Sequence, residues 1–327
     1  MNPEFSVKLK KVFVFVFLIC LMPGMLCAAE HELQLIKRFY SIATASINGT
    51  YYPVGNSIAR ALSKNMRSIV AIAEPTAGSV ANIDYLKAGQ VDLALVQSDV
   101  VWQAVKGSGM FAENRFPELK VLASLYSEVL QIVVKKSSGI NSLHDLKGRK
   151  ISVGGKESGS AVNVIQLMAA AGLRQDDYQL VYERFTKATE SLKDGYVDAV
   201  YYTGGVPADG ISRLAASVNL KLIAIPLEVQ KKLVEEFPYY SAEIIAAGSY
   251  DGQINEVPTV GLRALLVATE RLNNEDALKF LSIIYKDSLE IAAQNLASNL
   301  FVREDGLKGV DASMLHFAAQ KFFQRSK

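Results

Sequence analysis

The heptapeptide LKAGQVD at Leu86–Asp92 returns, slightly altered, as LKDGYVD at Leu192–Asp198. Each copy has the make-up of a helix end, a terminating glycine and the first residues of a buried strand, LALVQ after the first and AVYYT after the second. Gly89 and Gly195 suit the left-handed residue that closes helices, because glycine has no Cβ to clash there. The apolar run that follows fits a strand covered on both faces. A spacing of about a hundred residues is far too long for a solenoid. Helix–Gly–strand joints recur in any α/β protein, so a chance match accounts for the repeat as well. The sharper expectation is two α/β lobes of related build, each ending a strand in polar residues: Gln97-Ser98-Asp99 and Thr203-Gly204-Gly205. Two such ends facing one another would enclose a cleft.

The rest of the chain alternates in the same way. Ile36–Ala45, Ser68–Glu74 and VDLALVQ read as strands, separated by helical spacing over Tyr52–Asn65 and Ser79–Lys87, a β-α-β-α-β order that implies a mostly parallel sheet with helices on its faces. LKVLASLY and LQIVVKK read as two further strands. From about Leu130 a second run begins: a short helix in NSLHDLKG, the strand RKISVGG, a helix over Ser158–Ala171, the strand VYERF, a helix ending at Asp194, the strand VDAVYYT, a helix at Ala208–Ala216 and the strand Leu220–Leu227. A Pro- and Tyr-rich segment leads to a long strand, Thr259–Thr269. Helices at Glu275–Lys286, Leu289–Ser298 and Ala312–Gln324 close the chain and are expected to pack back on the first lobe. The expected division is residues 1–29 as a leader, 30–127 as lobe one, 128–227 as an inserted lobe two, and 228–327 as the hinge return and the helical tail of lobe one.

The leader is read from Lys8, Lys10 and Lys11, the apolar run Val12–Leu21, the breaker Pro23-Gly24 and the small residues Cys27-Ala28-Ala29. This is the pattern of a secretory signal peptide cut after Ala29, or alternatively after Ala28, and the run is too short to cross a bilayer. Cys27 raises a lipoprotein alternative, although Leu26 and Gly24 fit a lipid-attachment box poorly. Removing residues 1–29 leaves 32 basic and 32 acidic side chains and no cysteine. A neutral mature chain argues against nucleic acid or an anionic membrane as main partner. Without a disulfide the fold must rest on its core. The expected product is exported and periplasmic.

The strongest local signal is TASINGTYYPVGNSIA, Thr44–Ala59. A strand ends in small polar residues, Asn48-Gly49-Thr50 turns, and Pro53 fits the first turn of a helix. Backbone N–H groups at Thr50, Tyr51 and Tyr52 suit a carboxylate or other anion at the helix start, with the tyrosines as an aromatic wall, although an ordinary N-cap followed by core tyrosines has the same pattern. A second such joint is GGKESGSAVN, where Ser158, Gly159 and Ser160 open a helix. It lacks the Lys-Ser/Thr ending of a nucleotide P-loop, so ATP binding is not expected, and Lys156 stands where a nucleophile elbow has glycine. Gly78-Ser79, Gln97-Ser98, Tyr126 and Thr203-Gly204-Gly205 are further polar strand ends, the places where open α/β sheets bind ligands. His31, His144 and His316 lie far apart without metal-ligand spacing, and no carboxylate pair stands out for acid–base work. No catalytic residue, metal or cofactor is assigned. No arginine is obviously placed as a clamp.

GTYYPVG, TAGSVANIDYLKAGQVDLALVQSDV, LASLYSEVLQIVVKKSSGINSLHDLKGRKISVGGKESGS, AGLRQDDY, YYTGGVP, FPYYSAEIIAAGSYDGQ and VPTVGLRALLVAT together resemble the TAXI family, the solute-binding proteins of tripartite ATP-independent periplasmic (TRAP) transporters. The similarity runs in order from about Ser41 to Thr269. It implies the two-lobed type 2 periplasmic binding fold, in the α/β class, with a small solute such as glutamate or a related amino or organic acid enclosed between lobes. It also implies delivery to TRAP membrane permease subunits driven by an ion gradient rather than ATP. Relatives usually carry a glycine-rich turn before Y-Y-P; here Ile47 and Asn48 add bulk, which bears on the identity of the solute. The rivals are a periplasmic hydrolase on the same fold, which needs a base beside Ser158 or Ser160, and a host-interaction protein with a vestigial pocket.

Overall fold

The computed structural model describes residues 37–287 and 302–324. The leader read in residues 1–29 and the helix expected at Leu289–Ser298 lie outside the described residues. The first part of the chain forms β1 (Arg38–Ala43), α1 (Tyr51–Asn65), β2 (Ile69–Glu74), α2 (Ser79–Ala88), β3 (Leu93–Gln97) and α3 (Ser98–Lys106). β1 lies between β2 and β3 and runs parallel to both. After the long strand β4 (Leu119–Lys135) the pattern repeats as β5 (Lys150–Ser152), α4 (Gly159–Ala170), β6 (Gln179–Val181), α5 (Phe185–Asp194) and β7 (Ala199–Gly204), with β5 between β6 and β7 and again parallel to both. Then follow α6 (Asp209–Ala215), β8 (Leu220–Leu222), α7 (Leu227–Glu236), β9 (Ser241–Ile245), β10 (Val257–Thr269), α8 (Asn274–Lys286) and α9 (Phe317–Gln324).

The heptapeptide is the same joint in both parallel sets. Gly89 and Gly195 close α2 and α5 in the left-handed region, at φ 68° and 83°, where a Cβ is strained. The aspartate that ends each copy then seizes the central strand. Asp92 accepts the Ser41 N–H of β1 on its carboxylate at 2.9 Å and returns its own N–H to the Ser41 carbonyl at 3.3 Å. Asp198 does the same to Lys150 of β5, at 2.8 Å in both directions. A sequence spacing therefore sets which strand lies next to which.

The two sets join through β10 and β4, which pair antiparallel from Gly261↔Val129 to Thr269↔Leu119. β10 also pairs antiparallel with β3, and β4 with β7, so one sheet runs β2-β1-β3-β10-β4-β7-β5-β6, with β8 on β4 and β9 on β10. The expected mostly parallel sheet thus holds for the flanking sets and not for the centre, which is antiparallel. LKVLASLY and LQIVVKK are one 17-residue strand rather than two. The polar break at Ser127-Glu128 is in register with Arg263 and Leu262, and its side chains find partners in Glu243 and Tyr51. NSLHDLKG holds only a short 3-10 turn at His144–Leu146. The strand expected over Leu220–Leu227 stops at Leu222, and Pro226 caps the unanticipated α7, which buries Val229 and Leu233.

One apolar cluster packs α1 (Val54, Ile58, Leu62) on β1 and β3, with Phe280, Leu281 and Ile284 of α8 and Phe322 of α9 on the same face. A second joins Ile132, Ile151, Val164, Met168 and Tyr201 to Val229 and Leu233 of α7. Each large side chain so buried contributes about 1.5–3 kcal/mol.

Asn82 on α2 ties the cleft ends of the first set. It is fully buried; its Nδ2 donates to the carbonyls of Thr44 at 2.7 Å and Leu95 at 2.8 Å, and its Oδ1 accepts the Thr76 hydroxyl at 2.6 Å. Removing it takes a donor from the buried carbonyls of Thr44 and Leu95 and an acceptor from the Thr76 hydroxyl, which is left to the Thr44 carbonyl alone. Asn82→Ala is expected to lower the unfolding free energy by about 2–4 kcal/mol, read from urea denaturation with an unchanged m-value; a loss under about 0.5 kcal/mol contradicts the role.

Candidate functional site

Six strands send their carboxyl ends toward one cavity of about 290 Å³. The segments after β1, β2 and β3 bring Gly49–Tyr51, Thr76–Ser79 and Gln97; those after β5 and β6 bring Gly154–Ser160 and Arg184-Phe185; β7 brings Tyr201–Thr203, and Glu128 projects from the middle of β4. Such convergence is where open α/β sheets hold ligands. The volume suits a small molecule at the low end of the usual range for ligand pockets, roughly 300–1,000 Å³.

At the start of α1, Thr50 occupies the N-cap without using its side chain to cap. Its N–H, expected to face an anion, donates instead to the Tyr202 hydroxyl at 3.2 Å, with the Thr50 hydroxyl 3.4 Å from the same oxygen. A Cβ on Gly49 would stand 3.2 Å from that hydroxyl, so the turn can approach Tyr202 closely because residue 49 has none. The Tyr202 ring stacks on Phe185 at 4.0 Å between centroids. Tyr51 points inward and donates its hydroxyl to Glu128 Oε2 at 2.8 Å.

The two parallel sets meet at the ends of β3 and β7. Ser79 Oγ accepts the Gln97 N–H at 3.1 Å, and Ser160 Oγ accepts the Thr203 N–H at 3.0 Å. Between them Asn163 of α4 donates to Gln97 Oε1 at 2.9 Å and Asp99 Oδ2 at 3.3 Å, while its own oxygen accepts from Tyr201 at 2.7 Å and Thr203 at 2.9 Å. Gln97 also reaches the Thr203 carbonyl at 3.5 Å. Gly159 is required here, since any Cβ would collide with the Gln97 amide. Nearer the rim, the Glu157 carbonyl accepts the first-turn N–H groups of Val80 and Ala81 at 3.1 and 3.4 Å. Asn48 donates to Thr186 at 2.9 Å.

Burial dominates the electrostatics. Glu128 is pushed up to about 8, mainly by burial and further by Asp99, against the opposing effects of Tyr51 and Arg263. Asp99 is pushed up to about 7 by burial, against hydrogen bonds from backbone and from Asn163, and its Oδ1 has no hydrogen-bond partner. The cations of the lining, Lys156 and Arg184, are exposed at the rim. Arg184 has no carboxylate partner among the described residues.

Ten of the sixteen residues singled out from the sequence line the cavity: Gly49, Thr50, Tyr51, Gly78, Ser79, Gln97, Ser158, Gly159, Ser160 and Thr203. Six stand off its wall. Asn48 bridges to Thr186, and Tyr52 lies one helical step around from Tyr51, half-buried. Ser98 turns away, its hydroxyl accepting the Arg263 N–H of β10 at 3.1 Å. Tyr126 packs in the core, its buried hydroxyl without a partner. Gly204 is covered by the Tyr202 ring, and the carbonyls of Gly204 and Gly205 accept from Gln131 at 3.4 Å. The hydroxyl of Ser158 caps α4 by accepting the Ala161 N–H at 3.2 Å. Glu128, Lys156, Arg184, Phe185 and Tyr202 line the cavity and were missed. An acid isolated in the apolar run LASLYSEVLQIVV was a usable signal for Glu128. Arg184 is hidden inside VYERF because that strand ends at Val181, and its position puts an arginine at the rim where the sequence shows none obviously placed as a clamp. Among the described residues no group of His, Cys, Asp and Glu is placed to hold a metal ion, and no helix is long and apolar enough to cross a membrane.

The fold is shared with the binding-protein component of an ABC phosphonate transporter from Pseudomonas aeruginosa, at 14% identity over 81% of each chain and a TM-score of 0.55. It is also shared with a protein from Bordetella bronchiseptica RB50, at 18% identity over 88% of this chain and 98% of that one, with a TM-score of 0.52. The likeness is one of architecture, the two-lobed α/β fold of periplasmic binding proteins. The NMT1-like family model matches residues 42–325, from the last residues of β1 through the second parallel set, the long central strands and the closing helices α8 and α9. The chain belongs to the NMT1-like family.

Proposed function

We propose that this protein is an exported solute receptor that encloses a small carboxylate-bearing molecule, an amino acid or related organic acid, between two lobes and hands it to a membrane permease. The observation that carries the reading is the convergence of six strand ends on one small cavity, with an arginine at its rim that has no carboxylate partner among the described residues. On this reading residues 30–127 and 228–327 form one lobe around an inserted lobe at 128–227, and a leader at 1–29 exports the chain to the periplasm. Gly49–Tyr51, Gly78-Ser79, Gln97, Ser158–Ser160 and Thr203 form the binding surface, joined by Arg184, whose fork suits a carboxylate. The resemblance of the motifs to the TAXI family favours a TRAP permease driven by an ion gradient. A partner of the ABC class is the second reading, favoured by the name of the phosphonate-transporter component that shares the fold. A hydrolase is disfavoured because the Ser158 hydroxyl donates to the Val153 carbonyl at 3.4 Å, and among the described residues no His, Asp or Glu side chain hydrogen-bonds Ser158 or Ser160 as a base would.

A thermal-shift panel of amino acids and C4–C5 acids tests the receptor reading. A bound solute at a thousand times its Kd adds about 4 kcal/mol, or roughly 8–16 °C in Tm for a chain of this size. No shift with any acid, together with turnover of an ester or amide, rules the reading out. Arg184→Ala is expected to weaken carboxylate binding about 10- to 100-fold while leaving the unliganded Tm within about 2 °C, since exposed residues without partners contribute little to stability. Unchanged affinity removes Arg184 from the site. Reconstitution in proteoliposomes with the membrane partner it co-purifies with separates the permease classes: uptake driven by an ion gradient without ATP supports the TRAP assignment, and strict ATP dependence overturns it.

A further inference from the structure

Glu128 is the one acidic side chain in the buried wall of the cavity; the other acid of the lining, Glu157, is exposed at the rim. Glu128 is 1% exposed, yet among the described residues no cation pairs with it. From α1 the Tyr51 hydroxyl donates to it; from β4 itself comes Tyr126, from β7 Tyr202, from α3 Asp99 and from β10 Arg263. Arg263 does not close on it: its Nε donates to Ser124 Oγ at 2.8 Å. A buried carboxyl surrounded by three phenols and a second carboxyl lacks a counter-ion, and burying its ionised form unpaired is costly. A solute with only carboxylates would set a further negative charge against that wall. A solute with an ammonium group would supply the missing cation, while its carboxylate meets Arg184 and Lys156 at the rim.

We propose, resting on the receptor reading above, that Glu128 is the specificity-determining residue of the cavity: it selects solutes that carry an ammonium group, and their capture releases the Glu128 proton to solvent. The balance is simple. The carboxylic acid loses its proton to buffer, the incoming ammonium keeps all of its own, and a carboxylate–ammonium pair forms. The upward displacement of Glu128 to about 8 by burial places the protonated acid in the unliganded protein at neutral pH. Ammonium binding therefore strengthens as pH rises from 6 toward 8, by up to about tenfold per unit.

The test is isothermal calorimetry on the mature protein, in two buffers of different ionisation heat, with amino acids paired against their desamino counterparts: L-glutamate with glutarate, L-alanine with propionate. One amino acid is expected to bind with release of about one proton at pH 6.5, and its desamino partner at least about 100-fold more weakly. Glu128→Gln is expected to abolish proton release and to cost about 10- to 100-fold in affinity for the amino acid; the wild-type measurements stand whether or not this variant folds. Desamino acids that bind as tightly as their amino acids, or amino-acid binding without proton release, overturn the assignment and leave the receptor reading intact. Binding by no member of any pair removes the receptor reading and the assignment with it.

Discussion

The amide of Asn163 holds the cleft in register. It is fully buried, and both its oxygen and its nitrogen are engaged twice, with Gln97 and Asp99 on one side and Tyr201 and Thr203 on the other. A primary amide offers two donors and two lone pairs, so this group is used to capacity. In a low-dielectric interior such a network is worth most when every member is satisfied, and each missing partner is correspondingly costly. The ends of β3 and β7 are therefore placed relative to each other by specific geometry rather than by apolar contact alone. Ser79 and Ser160, which receive the Gln97 and Thr203 N–H groups, depend on that placement, and so does the space left between them for a ligand.

Much of the architecture was legible because it is locally encoded. The repeated LK-x-G-x-VD marks a helix end, a left-handed glycine and a strand start, each dictated by residues within a few positions, and its aspartate reaches the same strand in each half. The strand ends that line the cavity were legible for the same reason: glycines, serines and threonines at the carboxyl end of an apolar run have few other uses. What escaped was set at long range. The continuity of β4 through Ser127-Glu128 depends on β10, more than a hundred residues away, and on Glu243 and Tyr51 receiving the two polar side chains. The antiparallel centre of the sheet follows from that same pairing, which local periodicity does not reveal.

The site itself divides along the same line. Gly49, Gly159 and Gln97 could be read in the sequence because turns and strand ends announce themselves. Arg184 and Tyr202 could not, since their part depends on where α5 and β7 place them across the cleft. Ser98 shows the converse failure. It follows Gln97 directly, but the first turn of α3 rotates its hydroxyl to β10, away from the cavity.

β4 and β10 run unbroken through both halves, paired from Gly261 and Val129 to Thr269 and Leu119. Among the described residues nothing resembling a tether joins the two parallel sets; the joint is an elastic plate. Any opening of the cleft must bend or twist a hydrogen-bonded ribbon, and the strain can concentrate where the register slips, between Ala264 and Leu265 and between Leu266 and Val267. A plate of this kind permits a narrow angular swing with a restoring force. It also couples the two cores mechanically, so that neither half can unravel without pulling a shared strand out of the other.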